Sequence, residues 1–203
     1  MKRRDCLTLA LAPLSLPAVH AQAGEPALLD GLRQRLRQPE WLRGEFEQSK
    51  LVQGFKKPLL SRGDFVVARG RGVLWRTRQP FASELRLTRE QIRASQGSAP
   101  ALQLDAQREP ALRLVNEMMF ALLGGDVAAL SQLFVLEGEL LGRSSWRLQL
   151  RPRQAAWLQV LQRIALSGDG HVREVEILEA SGDLTRIRFQ QLREGDAEPR
   201  LFD

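Results

Sequence analysis

Between Gly44 and Pro80 the apolar positions recur every second residue, in runs that stop and restart at turn residues. The stretch reads GEFEQSKLVQGFKKPLLSRGDFVVARGRGVLWRTRQP. In its last run Val73, Trp75 and Thr77 fall on one face, and Leu74, Arg76 and Arg78 fall on the other. Such alternation marks a half-buried antiparallel strand. It predicts strands over 44–53, 59–69, 72–78, 83–88 and 91–95. A second block repeats the pattern over 135–141, 144–151, 163–167, 172–178 and 184–192. There Trp146, Leu148 and Leu150 alternate with Arg147, Gln149 and Arg151. Gly70-Arg71-Gly72, Gly168-Asp169-Gly170 and Ser181-Gly182-Asp183 supply hairpin turns.

Helical spacing appears in two other places. Leu28, Leu29, Leu32 and Leu36 make one apolar stripe, which predicts a helix over 26–37 ended by Pro39. Glu109-Pro110 opens a second helix over 111–123, reading ALRLVNEMMFALL. Gly124-Gly125 closes it, and Asp126 caps a short third helix that runs to about Phe134. The 111–123 helix is apolar on nearly every side. Such a helix is either ordinary core that plugs the sheet or the cover of an apolar ligand. Met118 and Met119 add the adaptable surface that suits partners of varying shape. Residues 155–161 fit a turn of helix or a strand, and 193–203 read as a polar, loose end.

About ten antiparallel strands in one sheet must curl, close or split. The fold class expected is therefore α+β and mainly antiparallel β. It is an incomplete, open β-barrel covered by a lid of short helices, with an apolar pocket beneath the lid.

The first residues change the picture of where this domain works. Met1 to Arg4 is basic, Leu7 to Val19 is apolar, and Val19-His20-Ala21 and Ala21-Gln22-Ala23 offer small residues for cleavage. Residues 1–23 are thus expected to be a Sec-type signal peptide, cleaved near residue 21 or 23, and 24–203 a single domain. The apolar run is too short and too proline-rich for an ordinary membrane span, and Cys6 precedes it, too early to be a lipidation site. Cleavage removes three cations and one acid, so the net charge falls from +6 to about +4. It also removes the sole cysteine, so no disulfide is expected.

The remaining inventory argues against catalysis. Tyr is absent, and His171 is left as the one imidazole, in a Gly-Asp-Gly-His turn where it is expected to face solvent. No Gly-x-Ser-x-Gly elbow and no metal-ligand spacing of His, Cys and carboxylates occur. Glu137 and Glu139, like Glu174 and Glu176, lie two apart on strands and so share a face, where solvation explains them better than acid-base work. No catalytic residue, metal or cofactor is expected. Export places nucleic acid out of reach, and no aromatic platform interleaves the arginines.

Several short motifs carry a family resemblance when taken in order. They are Phe46-Glu47-Gln48, then Arg69-Gly70-Arg71-Gly72-Val73-Leu74-Trp75, then Gln79-Pro80, and late in the chain Gly182-Asp183-Leu184-Thr185-Arg186-Ile187-Arg188-Phe189. With the export signal and the helix pair after the fifth strand, the chain resembles the periplasmic outer-membrane lipoprotein carriers of the LolA type. The resemblance implies a cavity for acyl chains. Its expected lining is Phe46, Phe65, Val73, Trp75, Leu85 and Leu87 from the first strands and Trp146 and Leu148 from the later ones. Leu112, Val115, Met118, Met119 and Leu122 of the lid complete it. Arg69, which by itself reads as a solvated turn residue, matches the family's lid-latching arginine. Val73 stands where the family carries a cavity-facing aromatic. The function implied is a monomeric periplasmic carrier of acylated lipoprotein or related lipid. An inner-membrane transporter loads it and an outer-membrane acceptor unloads it. A lipid- or polyene-binding carrier for a specialised outer-membrane export pathway shares the fold. A secreted hydrolase or acyl-transfer enzyme is the reading from another class.

Overall fold

The structure, a computed structural model, describes residues 25–97, 102–105, 117–121, 124–195 and 201–202. The signal-peptide reading and residues 111–116, 122 and 123 of the apolar helix lie outside the described residues.

The described strands are β1 Trp41–Leu51, β2 Leu59–Ala68, β3 Gly72–Gln79, β4 Ser83–Thr88, β5 Gln91–Gln96 and β6 Leu102–Asp105, followed by β7 Phe134–Leu141, β8 Ser145–Pro152, β9 Leu161–Gly168, β10 Val172–Glu179 and β11 Leu184–Glu194. All join one antiparallel sheet in the order β6-β5-β4-β3-β2-β1-β11-β10-β9-β8-β7. The two blocks of strands meet where β1 pairs β11, with Phe46 opposite Phe189. β6 and β7 are edges that do not pair, so the barrel is open. The sheet is nonetheless curled. One hydrophobic cluster unites Val73 and Leu87 with Leu148 and Ile164, which are several strands away in the order.

Among the described residues the sheet is accompanied by α1 Glu25–Arg35, α2 Val127–Leu133 and α3 Ala155–Leu158. Residues 117–121 are helical too. The α1 stripe behaves as its spacing dictates, with Leu28 and Leu32 buried in the main cluster and Leu29 and Leu36 packed against it. A Cβ at Gly31 would overlap Leu140, so glycine lets α1 settle onto β7. Arg35 then donates to the carbonyls of Leu141, Gly142 and Ser145 at the β7–β8 turn. Asp126 caps α2 by accepting from the Ala129 N–H at 3.0 Å.

Alternation sorts every long strand into an inner and an outer face. The inner face carries the main core, with Phe46, Phe65, Val73, Trp146, Leu148, Leu150, Ile164 and Phe189 among its members. The outer face carries ion pairs. Arg147 meets Glu139, Arg151 meets Glu137, Arg188 meets Glu174, and Glu176 lies between Arg163 and Arg186. The carboxylates that share a face in sequence are therefore partners of cross-strand arginines. Asp64 is the buried outer-face carboxylate, with Arg76 Nε at 2.8 Å and Arg78 Nε at 2.8 Å.

The expected count of about ten strands is met, with eleven among the described residues, the short β6 pairing with β5. Two expectations are corrected. His171 does not face solvent. Its side chain is only 10% exposed, and Nε2 lies 2.9 Å from Glu194 Oε1. The far end is not simply polar and loose, because Leu201 and Phe202 pack on an outer-face cluster of Trp41, Val66, Ala68 and Leu74. The rings of Trp41 and Phe202 are 5.9 Å apart. A side chain at Gly72 would strike Phe202, which explains glycine there.

Candidate functional site

The centre of the inner face is aromatic. Phe46 on β1, Phe65 on β2, Trp75 on β3 and Phe189 on β11 converge because those strands are neighbours and these positions share a parity. Phe46 stacks on Trp75 with centroids 3.9 Å apart, and Phe65 meets Phe189 edge-on at 5.0 Å. Trp75 is the member left half-buried. Offset and edge-on pairs of this kind add about 0.5–1.5 kcal/mol each beyond their area.

All ten described residues of the expected cavity lining fall in this one cluster. Phe46, Phe65, Val73, Leu87, Trp146 and Leu148 are buried, and Trp75, Leu85, Met118 and Met119 pack against them partly buried. The structure brings these ten together as close-packed core. Leu112, Val115 and Leu122 lie outside the described residues.

A pocket of about 570 Å3 opens beside that core. Its sheet side is Val67, Arg69 and Gly70 at the end of β2, with Arg89 from the β4–β5 turn. Its helical side is Glu117, Phe120, Ala121 and Gly124, followed by Asp126, Ala129, Gln132 and Leu133. Gln38 completes it. The walls mix apolar side chains with a few polar ones, and the volume lies in the range of ligand pockets. Met118 with Leu133, Phe134 and Trp157 borders a much smaller gap.

Arg69 stands at the rim of the larger pocket. Its Nη1 donates to the Gln38 carbonyl at 3.1 Å, and Gln38 Nε2 donates to the Gly125 carbonyl at 3.1 Å. The β2–β3 turn is thus joined to the helical segment through Gln38. The Arg69 N–H also donates to Glu40 O at 2.8 Å, which fixes the turn against the start of β1. Sequence reasoning missed Gln38 and Arg89, because they lie in turns, which leave no periodic signal; Val67 was within reach, two residues from Phe65 on the inner face of β2. Phe189 was within reach, since its alternation with Arg188 and Gln190 puts it on the inner face.

A second polar cluster ties the chain just after α1 to the β9–β10 turn. The Arg37 N–H donates to the Gly170 carbonyl at 2.7 Å, and both Arg37 and His171 reach Glu194. In the same turn burial opposes the charge on Asp169. Hydrogen bonds from Arg173 and from the His171 N–H outweigh it, so its carboxyl sits below the usual carboxylate range. Among the described residues no group of three or more His, Cys, Asp or Glu has a metal-binding arrangement. Nor is any described helix long and apolar enough to cross a membrane.

The described residues thus form an unclosed antiparallel sheet with an apolar inner face that helices pack against. The sequence model of the family described as outer membrane lipoprotein carrier protein LolA matches residues 37–203, and the chain belongs to that family. Its members are carriers rather than enzymes. The chain is 28% identical over 190 residues to an outer-membrane lipoprotein carrier protein of Halorhodospira halophila, covering 94% of this chain and 85% of that one. Among solved structures it is similar to a LolA superfamily protein from Nitrosomonas europaea (TM-score 0.47, 9% identity, 88% of this chain and 96% of that one). It is also similar to Pseudomonas aeruginosa MucB in its complex with MucA (TM-score 0.44, 19% identity, 86% of this chain). There it spans 57% of the solved chain's length.

Proposed function

We propose that the protein is a periplasmic carrier that takes the acyl chains of lipoproteins, or of a related lipid, onto its inner face and moves them from the inner to the outer membrane. Family membership is the observation that carries this reading. The aromatic inner face beside the pocket supports it, because acyl chains need an apolar surface screened from water. The described inner face is close-packed, so loading requires the 117–121 and α2 helices to lift from the sheet. Burying chain methylenes, at roughly 0.8 kcal/mol each, offsets the separation. Phe46, Phe65, Trp75, Met118 and Met119 are the surfaces that a chain would then meet. In this reading Arg69 is a latch that acts through Gln38 and holds the helices down between loadings. An inner-membrane transporter is the donor and an outer-membrane protein the acceptor.

The test is recovery of the protein from its native periplasm, followed by mass spectrometry of what accompanies it. Acylated lipoprotein in near-equal amount is the expected result. A non-protein lipid or a polyene would move the cargo to a specialised export pathway and keep the carrier. Protein repeatedly free of acyl material, and unable to take up added acyl chains, would overturn the reading.

A further inference from the structure

Exposed apolar side chains are not scattered over this molecule. Among the described residues, the large ones left exposed lie towards a single end of the sheet by register, with Val135 on the edge strand β7 the member farthest from the β1–β2 hairpin in strand order. Phe55 is 62% exposed, Leu59 56% and Leu60 63%, all at the tip of the β1–β2 hairpin. The register shows what borders that tip. Leu51 pairs with Leu184, so the β10–β11 turn is its neighbour on one side. Arg62 pairs with Gln79, which brings Phe81 of the β3–β4 turn close on the other. Beyond the β10–β11 turn, Ala180 donates to the Val160 carbonyl, which adds Leu158 and Val160 to the same rim. The pocket walls Arg69, Gly70 and Arg89 come from turns at the opposite end of these strands.

Charge on the hairpin is equally one-sided. From Ser49 to Gly63 the chain holds Lys50, Lys56, Lys57 and Arg62 and no carboxylate. Lys50 is already held by Glu179 at 2.7 Å and faces Asp183 at 3.5 Å, and Arg62 pairs with Glu47 at 3.3 Å. Lys56 and Lys57 at the tip are exposed beside Phe55 and have no ion-pair partner among the described residues. Apolar side chains gathered at an exposed rim mark an interaction site. Interleaving them with unpaired lysines selects the partner. A bilayer with anionic headgroups accepts the rings and leucines at its acyl boundary and the ammonium groups at its phosphates. A protein groove would need a shaped apolar face, and the tip is a loop around Gly54 and Pro58 without regular structure.

We infer that the β1–β2 hairpin tip is a membrane-docking element that seats this end of the barrel on an anionic lipid surface through Phe55, Leu59, Leu60, Lys56 and Lys57. The contact is independent of cargo, so it stands or falls apart from the carrier reading. It is peripheral and reversible, since a few exposed side chains give far less than an inserted helix.

Co-sedimentation with vesicles of phosphatidylethanolamine and phosphatidylglycerol, against vesicles of phosphatidylcholine alone, tests the inference without any acylated cargo. The full chain is expected to bind the anionic vesicles at least tenfold better. Lys56→Gln with Lys57→Gln should lower that binding by roughly fivefold per lysine. Phe55→Ser with Leu60→Ser should lower it at least tenfold. Because these positions are exposed, thermal unfolding of each variant should match the parent. Arg147→Gln with Arg151→Gln removes the same charge from the outer face and should bind as the parent does. No preference for anionic vesicles, or an equal loss in that control, would overturn the inference. So would tip variants that bind as well as the parent. If the parent sediments as a dimer without vesicles and the tip variants do not, a second copy of the chain is the occupant and the membrane assignment is wrong.

Discussion

Asp169 shows how a single carboxylate ties the β9–β10 turn to pH. It accepts from the His171 N–H at 3.1 Å and faces Arg173 Nε at 3.1 Å. Burial alone would raise its pKa, yet the net shift is downward. A carboxyl lowered in the folded state stabilises that state above its unfolded pKa, near 3.9. This contribution is lost as pH falls through the lower folded value. Asp169→Asn should therefore melt below the parent at neutral pH, and the gap should shrink below about pH 4. A gap that stays constant down to pH 2 would show that the carboxylate's charge is not the source. Phe65 carries a different kind of residue-scale weight. It is 2% exposed and touches the rings of both Trp75 and Phe189. Its truncation to alanine leaves a cavity that rigid neighbours cannot fill, so a loss of about 3–5 kcal/mol is expected in denaturant unfolding. A loss below 1 kcal/mol would mean that the inner face repacks readily.

Among the elements, the strands were legible and the helices only partly so. Alternation located ten strands because one face of each is buried and the other holds charge, as in β8 with its inner Trp146 and outer Arg147. It missed β6, because Leu102–Asp105 is four residues long and carries too few positions to show a period. It started β1 late, at Gly44, because Trp41 and Leu42 are both buried, on opposite faces, which breaks the alternation. Asp126 was legible as a cap because its chemistry is local. The site was less legible. Ten residues of the expected lining are truly together, but the open pocket is walled by turns whose meeting depends on the whole curl of the sheet. The proposed latch follows the same logic. Arg69 reaches Gln38 rather than a helix directly, and Gln38 passes the connection to Gly125. An exposed hydrogen bond of this kind contributes roughly 0.5–1.5 kcal/mol. Arg69→Leu is thus expected to leave folding intact and to speed hydrogen exchange up to about tenfold in peptides covering 117–121 and 124–133. Exchange there equal to the parent's would reduce Arg69 to a turn residue.

For the whole molecule, the open sheet and the close-packed inner face pose one question, which is whether the core can separate to admit a chain. An open edge allows it, since β6 and β7 are not joined by a ladder that would resist. The α2 helix is only 7 residues long, so few backbone bonds hold it in place. Met118 and Met119, both only partly buried, can repack around a new occupant at small cost. If this is how the carrier works, affinity must depend on chain length. Each methylene that enters contributes about 0.8 kcal/mol, or roughly a fourfold gain in affinity. A fluorescent apolar probe should bind at a ratio near one, and fatty acyl chains should displace it with potency that climbs with length. The climb should end once the space opened by the helices is full. Met119→Glu should weaken binding of every chain, with unfolding curves run in parallel to separate lost affinity from lost fold. Potency that is flat from short chains to long ones would show that the inner face stays shut, and the aromatic cluster would then be ordinary core.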